Sequence, residues 1–285
     1  MKCKVSILGE PNVGKSSITN KLVGEDVSIV TDLHGTTRDQ IVGYVEDLEI
    51  IDTPGMLKGS TLMDKHMRKS ISHAVANADI LLYVLDATRF DERDVKKIGN
   101  YRDKGLPVIV AVNKVDAVKP EKLVAGLTLL NGLDFVKSVI PCSVRTGYNI
   151  DVLKSELQKY KTSSCTDCGC DDIYTNQSVK QMAEEIIRGA VIINTRDEIP
   201  HGVIVSITKF IETSSCVEIH ADIICERKSH KPIIIGSGGS VLKKIGIQSR
   251  KKIENLVGVQ VKLYTCVIVR ENWKNNNDIV RSPFA

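Results

Sequence analysis

The sequence predicts an α/β protein of two domains, a doubly wound domain with a mostly parallel sheet followed by a smaller α+β domain. In residues 1–160, apolar β-branched runs alternate with stretches of helical periodicity, which is typical of parallel strands covered by helices on both faces. A glycine-containing loop directly follows the first of these runs. Residues 177–285 contain two strand-like runs in succession and then helical patterns, so we expect a separate core there.

Six apolar runs predict the strands of the first domain, and the stretches between them have the 3.6-residue period of helices. The predicted strands are Val5–Leu8, Ile41–Val45, Leu48–Asp52, Ile80–Asp86, Val108–Asn113 and Val136–Cys142. The predicted helices are Ser16–Val23, Met63–Ala76, Asp91–Lys104, Glu121–Leu130 and Ile150–Tyr160. In a sheet of this kind, ligands bind at the carboxyl ends of the strands.

Residues 9–16, Gly-Glu-Pro-Asn-Val-Gly-Lys-Ser, form a phosphate-loop motif (the P-loop) between the first predicted strand and the first predicted helix. The backbone N–H groups of such a loop and the positive end of the helix point to one place, which therefore favours phosphates. We expect Lys15 to reach the β- and γ-phosphates and the Ser16 hydroxyl to bind Mg²⁺. The residues expected to surround a nucleoside triphosphate here are Gly9, Glu10, Pro11, Asn12, Val13, Gly14, Lys15, Ser16 and Ser17.

The sequence Asn113-Lys114-Val115-Asp116 ends the fifth predicted strand and predicts that the base is guanine. A carboxylate at Asp116 accepts two hydrogen bonds from the N1–H and N2–H₂ edge of guanine, an edge that adenine lacks. We expect Asn113 to contact the other edge of the base and the stem of Lys114 to cover a ring face. Backbone N–H groups at Ser143 and Val144 are expected to reach the guanine carbonyl. The predicted ligand is therefore GTP or GDP.

Two loops between these motifs are expected to complete the phosphate and metal contacts. Asp52-Thr53-Pro54-Gly55 ends the third strand, where Asp52 can hold Mg²⁺ through a water and the Gly55 N–H can meet the γ-phosphate. In Gly35-Thr-Thr-Arg-Asp39, a threonine can close over Mg²⁺ in the GTP state and release it after hydrolysis. We assign that role to Thr37, with Thr36 as the alternative. The predicted metal set is Ser16, Thr37 and Asp52.

The predicted catalytic group consists of Asn12, Lys15, Thr37 and Gly55. Met56 stands where Ras-like GTPases carry the glutamine that orients the attacking water, so we expect slow or assisted hydrolysis. The Asn12 side chain can bind a K⁺ ion against the phosphates, where the ion would neutralise developing charge. It can equally hydrogen-bond the loop backbone, and the sequence leaves both alternatives open.

Residues 161–176 are small and polar and predict a linker between the two domains. Within it, the spacing of Cys165, Cys168 and Cys170 suits zinc, but three thiolates need a fourth ligand and no His or Cys follows nearby. The alternatives are a zinc site and a linker with free thiols, and the sequence favours the second.

In the second domain, Asn176 or Ser178 can cap a helix that runs to about Ala190. The elements expected after it are strands Val203–Phe210 and Cys216–Cys225, an apolar piece Pro232–Ile235, a helix Ser240–Val257 and a strand Gln260–Arg270. The order α-β-β-α-α-β, with a Gly-x-x-Gly loop between the last two helices, is that of a type II KH domain. Such a domain clamps about four nucleotides of single-stranded RNA.

The Gly-x-x-Gly loop and the helix after it carry the expected RNA contacts. Residues 226–285 hold 12 Lys and Arg against 4 Asp and Glu, which suits a polyanion. The residues assigned to RNA are Ile235, Gly236, Ser237, Gly238, Gly239, Lys243, Lys244 and Arg250. The apolar residues expected to line a groove for the bases are Ile233, Ile235, Val241 and Ile245. A dinucleotide-binding fingerprint and a purely structural turn are alternative interpretations of the glycines.

The motifs GEPNVGKS, GTTRD, DTPG, NKVD and IIIGSGGSVLKKIG, in this order over nearly the whole chain, resemble the family of the bacterial GTPase Era. The resemblance implies a Ras-like GTPase domain joined to a KH domain, and a slow GTPase that uses GTP, GDP and Mg²⁺. It further implies a monomer or weakly associating protein that binds the 3′ region of small-subunit (16S) ribosomal RNA and assists assembly of the small ribosomal subunit. Members of the family also associate peripherally with membranes.

Two other functions are compatible with the sequence. The Gly35-Thr-Thr-Arg-Asp39 sequence favours a GTPase partner in RNA modification, and Met56 favours an RNA-binding protein that holds GTP without significant turnover. Ser237 stands where the Era family usually has lysine, so we expect one phosphate contact to be lost. No apolar run approaches 18 residues, and we expect a cytoplasmic protein, with peripheral association at the inner face of the cell membrane as a further expectation.

Overall fold

The computed structural model describes residues 2–28, 30, 37–55, 59–160, 174–195, 199 and 202–281. They form two compact units. The N-terminal unit contains the described residues up to 176, except residue 30 and residues 60–66. Those residues belong to the C-terminal unit, together with the described residues from 177 onward. The positions for which the sequence made predictions and which lie outside the described residues are Gly35, Thr36, Met56, Cys165, Cys168 and Cys170.

The described part of the N-terminal unit is built on a six-stranded sheet. Its strands are β1 (Cys3–Gly9), β2 (Ile41–Val45), β3 (Leu48–Asp52), β4 (Ile80–Asp86), β5 (Val108–Asn113) and β6 (Val136–Pro141). The order across the sheet is β2-β3-β1-β4-β5-β6, and every neighbouring pair is parallel except β2 and β3. The predicted mostly parallel, doubly wound sheet is confirmed. Because β1, β4 and β5 are neighbours, the loops after them meet at one edge.

Helices pack on both faces of this sheet. They are α1 (Lys15–Val23), α2 (Leu62–Ala76), α3 (Glu92–Gly99), α4 (Pro120–Asn131) and α5 (Ile150–Gln158). Successive residues of a buried strand point to opposite faces, so Ile7 belongs to the core that includes α1 and α5, whereas Leu8 belongs to the core that includes α3 and α4. The predicted helix Asp91–Lys104 is too long, because the helix ends at Gly99, beside weak helix formers, and only one 3₁₀ turn follows.

Residues 174–176, the end of the predicted linker, lie along the open edge of β2. The Tyr44 N–H donates to the Tyr174 carbonyl over 2.9 Å, and the Asn176 N–H donates to the Val42 carbonyl over 3.3 Å. These hydrogen bonds satisfy backbone groups that an edge strand would otherwise leave open.

The C-terminal unit has the predicted order of elements. They are α6 (Val179–Asn194), β7 (Val203–Glu212), β8 (Cys216–Cys225), α7 (His230–Ile235), α8 (Ser240–Val257), β9 (Gln260–Val269) and the short α9 (Asn277–Arg281). The sheet order is β7-β8-β9, with β7 antiparallel and β9 parallel to β8. Ser178 caps α6 in a capping box with Gln181, which decides between the two predicted caps.

Glu184 of α6 has a buried, ionisable side chain. It is 8% exposed, and its carboxylate accepts the Ile207 N–H over 2.7 Å at a bulge in β7. Burial raises the pKa of Glu184 to about 7, against the opposing effect of that hydrogen bond. The carboxyl group therefore titrates near neutral pH in the folded protein.

None of the helices in the described ranges is both long enough and apolar enough to cross a membrane.

Candidate functional site

The P-loop is held in a backbone shape that requires glycine. Gly9 and Gly14 have φ angles of 148° and 98°, and a Cβ atom would clash with the Val84 carbonyl at the first and with the Asn113 amide at the second. Asn12, between them, has a left-handed φ of 63°. The glycines let the loop pass close to β4 and β5, which places its N–H groups at the start of α1.

Lys15 is the buried cation of the P-loop. It is 6% exposed, and its Nζ donates to the Glu10 carbonyl over 2.8 Å. Burial lowers the pKa of Lys15 to about 8, although the nearby Asp52 and Glu10 favour the charged form. A cation that has lost its hydration in this way is suited to a phosphate, whose charge restores the balance.

Three oxygen-bearing side chains predicted to bind a metal lie together beside Lys15. The Ser16 hydroxyl donates to the Asp52 carboxylate over 2.7 Å and lies 3.0 Å from the Thr37 hydroxyl. Asp52 is fully buried, and its Oδ1 accepts no hydrogen bond within the described residues. Burial raises the pKa of Asp52, opposed chiefly by Ser16 and Lys15. Hard oxygen donors around a buried carboxylate fit Mg²⁺, so the residues present suit the ion that the fold implies.

Gly55 and Thr53 anchor the loop after β3 against the P-loop and β1. A Cβ atom on Gly55 would lie 3.0 Å from the Pro11 ring, so this glycine allows a close approach of the two loops. The Thr53 hydroxyl donates to the Ile7 carbonyl over 2.6 Å. The Gly55 backbone is thereby positioned next to the phosphate site.

Asp116 presents an ionised carboxylate where the base is expected. One carboxylate oxygen accepts from the Ser143 hydroxyl, and the other accepts from Arg145 Nε over 2.7 Å. The hydrogen bond from Ser143, with Arg145, holds the pKa of Asp116 below its usual range. Ionisation at neutral pH is what a guanine-binding carboxylate requires.

Asn113, Ser143 and Val144 have partners within the protein, and the guanine contacts expected of them stay predictions. Asn113 donates to the Val13 carbonyl over 2.9 Å and accepts the Val144 N–H over 3.2 Å, so it joins the P-loop to the loop after β6. The Ser143 N–H donates to the Tyr148 carbonyl. Both N–H groups expected at the guanine carbonyl therefore have partners within the protein, and the Ser143 hydroxyl contacts Asp116.

Asp86, at the end of β4, belongs to this site although no motif indicated it. Its side chain is 4% exposed and accepts Lys114 Nζ over 2.7 Å. The same Nζ donates to the Asn12 carbonyl over 2.7 Å. Arg89 lies 3.5 Å from Asp86 and donates to the Pro11 carbonyl. Despite its burial, the hydrogen bonds from Lys114 and Thr88 hold the pKa of Asp86 below its usual range. The signal in the sequence is an acidic residue at the end of a buried strand.

The Gly-x-x-Gly loop lies between α7 and α8 in the C-terminal unit. A Cβ atom on Gly236 would lie 2.6 Å from the Val241 side chain, whereas Gly238 and Gly239 have positive φ angles and open space around the Cβ position. The loop backbone is accessible at these two residues, as a phosphate contact requires.

A groove of about 360 Å³ follows this loop along α8 and β9. It is lined by Gly239, Leu242, Lys243, Gly246, Ile247, Arg250, Leu263 and Thr265. Gly239, Lys243 and Arg250 were predicted from the sequence. The prediction that Ile245 lines the groove is wrong, because this residue is fully buried in the core. Val241 and Ile235 are not among the residues that line this groove. Leu242 and Ile247 form the apolar wall instead, on the adjacent face of α8.

No cluster of three or more His, Cys, Asp or Glu side chains that could hold a metal occurs within the parts of the chain described.

Comparison with protein-family models supports both units. Residues 4–114 match the family described as 50S ribosome-binding GTPase, and residues 198–274 match the KH domain. Among curated proteins, GTPase Era of Ruminiclostridium cellulolyticum is 35% identical over 98% of this chain and 95% of its own length. GTPase Era of Clostridioides difficile is 36% identical over 98% of this chain and 96% of its own.

Two solved structures have the same fold over 99% of this chain and 98% of their own. One is a variant of Aquifex aeolicus Era bound to GDP and AlF₄⁻, with a TM-score of 0.91 and 30% identity. The other is Era in complex with MgGDPNP and nucleotides 1506–1542 of 16S ribosomal RNA, with the same TM-score and identity.

Proposed function

This chain belongs to the family of GTPase Era, and on that premise we propose that it is a GTP-hydrolysing switch that binds 16S ribosomal RNA and assists assembly of the small ribosomal subunit. The observation that carries the proposal is the presence of a phosphate loop and a Gly-x-x-Gly groove in a chain that matches, along its length, an Era structure with both MgGDPNP and 16S RNA.

GTP is the nucleotide favoured by the site. The ionised Asp116 carboxylate suits the guanine edge, and the buried Lys15 suits the β- and γ-phosphates. We propose that Ser16, Thr37 and Asp52 hold Mg²⁺, with Asp52 acting through a water. When bound, Mg²⁺ neutralises charge on the β- and γ-phosphates.

The residues of the chain contribute to hydrolysis mainly by holding charge in place. In this proposal Lys15 neutralises the γ-phosphate, and the Gly55 N–H donates to one of its oxygens. We propose that the Asn12 side chain holds K⁺ against the phosphates, where the ion would neutralise developing charge. Met56 cannot orient the attacking water, so turnover is slow.

RNA binding is assigned to the groove along α8 and β9 and to the loop before it. Lys243 and Arg250 line the groove, where they contact phosphates, and Leu242, Ile247 and Leu263 pack against bases. The description 50S ribosome-binding GTPase belongs to a family model that matches only residues 4–114. The small subunit is preferred because the 16S RNA complex matches the whole chain, groove included.

The finer proposals concern organisation and location. We propose domains of 1–160 and 177–285 joined by a linker at 161–176, in a monomeric cytoplasmic protein. The excess of Lys and Arg in residues 226–285 also suits an anionic membrane surface, which supports peripheral association with the inner face of the cell membrane. Co-sedimentation with vesicles containing anionic lipid tests this association.

Turnover of GTP tests the enzymatic part. Lys15→Ala is expected to abolish phosphate release, because it removes the buried cation that faces the phosphates. Lys21→Ala, a change of the same kind at an exposed position of α1, is expected to retain the wild-type rate. Equal phosphate release by the wild type and Lys15→Ala would show that the chain holds GTP without hydrolysing it.

Binding of the 16S fragment 1506–1542 tests the RNA part. Gly238→Asp places a negative charge on the open loop and is expected to weaken RNA binding at least tenfold, with unchanged affinity for GTP. Gly258→Asp is the matched control, because Gly258 has a similar φ of 71° and open surroundings at the other end of α8. If both variants bind RNA as the wild type does, the RNA site lies elsewhere.

A further inference from the structure

The sheet of the C-terminal unit has a second face, opposite the helices. On β8, Val217, Ile219, Ala221 and Ile223 are buried in the core. The alternating residues Glu218, His220 and Asp222 therefore point away from the core. On β9, Lys262, Tyr264 and Cys266 are exposed on that same face, where they pair in register with Glu218, His220 and Asp222.

An aromatic pair lies on this outer face. The rings of His220 and Tyr264 have centroids 4.7 Å apart and planes inclined by 31°. Tyr264 is 52% exposed, and the His220 side chain is 40% exposed. Phe, Trp and Tyr make up only 4% of the chain, so few positions can offer an exposed ring for stacking. Exposed rings on a sheet are the usual means of stacking the bases of single-stranded RNA.

The charges beside the pair do not repel RNA. The Glu218 carboxylate accepts Lys209 Nζ over 2.7 Å and His220 Nε2 over 2.8 Å. These two partners hold the pKa of Glu218 below its usual range, so its charge is present and compensated. Lys262 lies opposite Glu218 in the register of β8 and β9, and its positive charge offsets the negative charge of Asp222 on the same face. Because the outer face has little net charge, the contact that it can make with RNA is stacking of a base.

Strand β9 connects this pair with the groove. Leu263 and Thr265 line the groove on one side of β9, and Tyr264, between them, points to the other side. β9 is also one of the two edge strands of the described sheet. A single strand of RNA that fills the groove can therefore pass around this edge and reach Tyr264 within a few nucleotides.

We propose that Tyr264, supported by His220, stacks a base of the single-stranded RNA that continues out of the groove around the edge of β9. The inference rests on the proposed function, because it takes the groove as the RNA site. It adds a second RNA contact on the opposite face of the sheet. Only an RNA strand long enough to extend beyond the groove makes this contact, and the contact depends on stacking and not on charge.

Binding of 16S fragments of different length to the full chain tests the proposal. Tyr264→Ala is expected to weaken binding of the fragment 1506–1542 at least about fivefold, the lower end of the effect of one lost stacking contact. Tyr264→Phe keeps the ring and is expected to bind as the wild type does. In fragments shortened until only the groove is filled, the three proteins are expected to bind equally. The fluorescence of Trp273, which is 1% exposed, verifies the fold of each variant.

The dependence on salt separates stacking from charge. Tyr264→Ala is expected to leave the slope of log affinity against log salt unchanged, whereas Lys243→Ala, in the groove, lowers its magnitude by about 0.7. Unchanged affinity of Tyr264→Ala for every fragment overturns the proposal. The outer face of the sheet would then be a candidate site for a protein partner. Equal weakening for the shortest fragment also overturns it. The hypothesis that the groove is the RNA site is tested separately. It fails if Gly238→Asp binds RNA with the affinity of the wild type.

Discussion

At the scale of single residues, the nucleotide site depends on a carboxylate that lies outside every motif. Asp86 holds Lys114 at 2.7 Å and lies 3.5 Å from Arg89. These two cations donate to the carbonyl groups of Asn12 and Pro11, which are consecutive in the P-loop. Asp86, on the strand between the two motifs, thus holds Lys114 of the guanine motif against the P-loop. The shape of the loop depends on all three side chains.

Asp86→Asn tests this arrangement. It removes the negative charge that holds Lys114 and Arg89, so we expect nucleotide affinity to fall about tenfold or more, as for a lost hydrogen bond between charged groups. The measurement is GDP binding by titration of a fluorescent analogue. Asp134→Asn is the control, because Asp134 pairs with Arg102 but its side chain is 69% exposed. Equal GDP affinity of Asp86→Asn and the wild type would contradict the account.

Asn12 gives a second prediction at this scale. If its side chain holds K⁺ against the phosphates, GTP turnover is faster in K⁺ than in Na⁺ by roughly an order of magnitude or more, and Asn12→Ala removes the difference. Steady-state phosphate release in matched chloride buffers measures it. Equal wild-type rates of GTP turnover in the two buffers would contradict the proposed K⁺ site and would favour a structural role for Asn12 within the P-loop.

At the scale of the elements, the sequence predicts the bounds of most strands. It predicts less well where a helix ends and which face of a helix is buried. Buried parallel strands appear as continuous apolar runs, so β2 to β5 have the predicted bounds. The helix α3 is shorter than predicted because periodicity alone cannot locate a weak stop at Gly99. On α8, Ile245 is in the core and Leu242 lines the groove, since which apolar stripe meets the sheet is decided by packing.

The same limit applies to the candidate site. The P-loop, Asp52 and Asp116 were recognisable because local sequence determines their geometry. Asp86 was not, because its role comes from the order of strands across the sheet, which places β4 between β1 and β5. The engagement of the Val144 N–H likewise depends on Asn113, 31 positions away in the sequence.

Glu184 gives a prediction for the elements α6 and β7. Its pKa is about 7 in the folded unit and near its ordinary value of 4.5 in the unfolded chain, so the folded state binds more protons between these values. The stabilisation is complete below pH 4.5 and is lost as pH rises through 7, by up to about 3 kcal/mol.

Denaturant unfolding followed by Trp273 fluorescence measures this stability, since the single tryptophan lies in the C-terminal unit. Glu184→Gln keeps an acceptor for the Ile207 N–H but removes the titration, so its stability is expected to vary less between pH 5 and pH 8. Glu212→Gln, at an exposed position of β7, is the control. Parallel pH profiles for the wild type and Glu184→Gln would contradict the assignment.

At the scale of the whole molecule, the chain joins a GTPase unit to a KH unit, and its charge is unevenly distributed along the sequence. Residues 226–285 carry a net charge of +8, and the preceding residues carry a net charge of −4. The basic part includes the groove and the Gly-x-x-Gly loop. The chain has a Ras-like unit followed by a KH unit and belongs to the Era family, and in our proposal the nucleotide is the switch for RNA binding.

The measurement that tests this central claim most directly is a crosslinking map on purified small ribosomal subunits, made with the chain loaded with GDPNP or with GDP. The account predicts crosslinks at the 3′ end of 16S RNA that are strong with GDPNP, weaker with GDP, and lost in Gly238→Asp. Crosslinks that are absent from this end, or equally strong with both nucleotides, would contradict it.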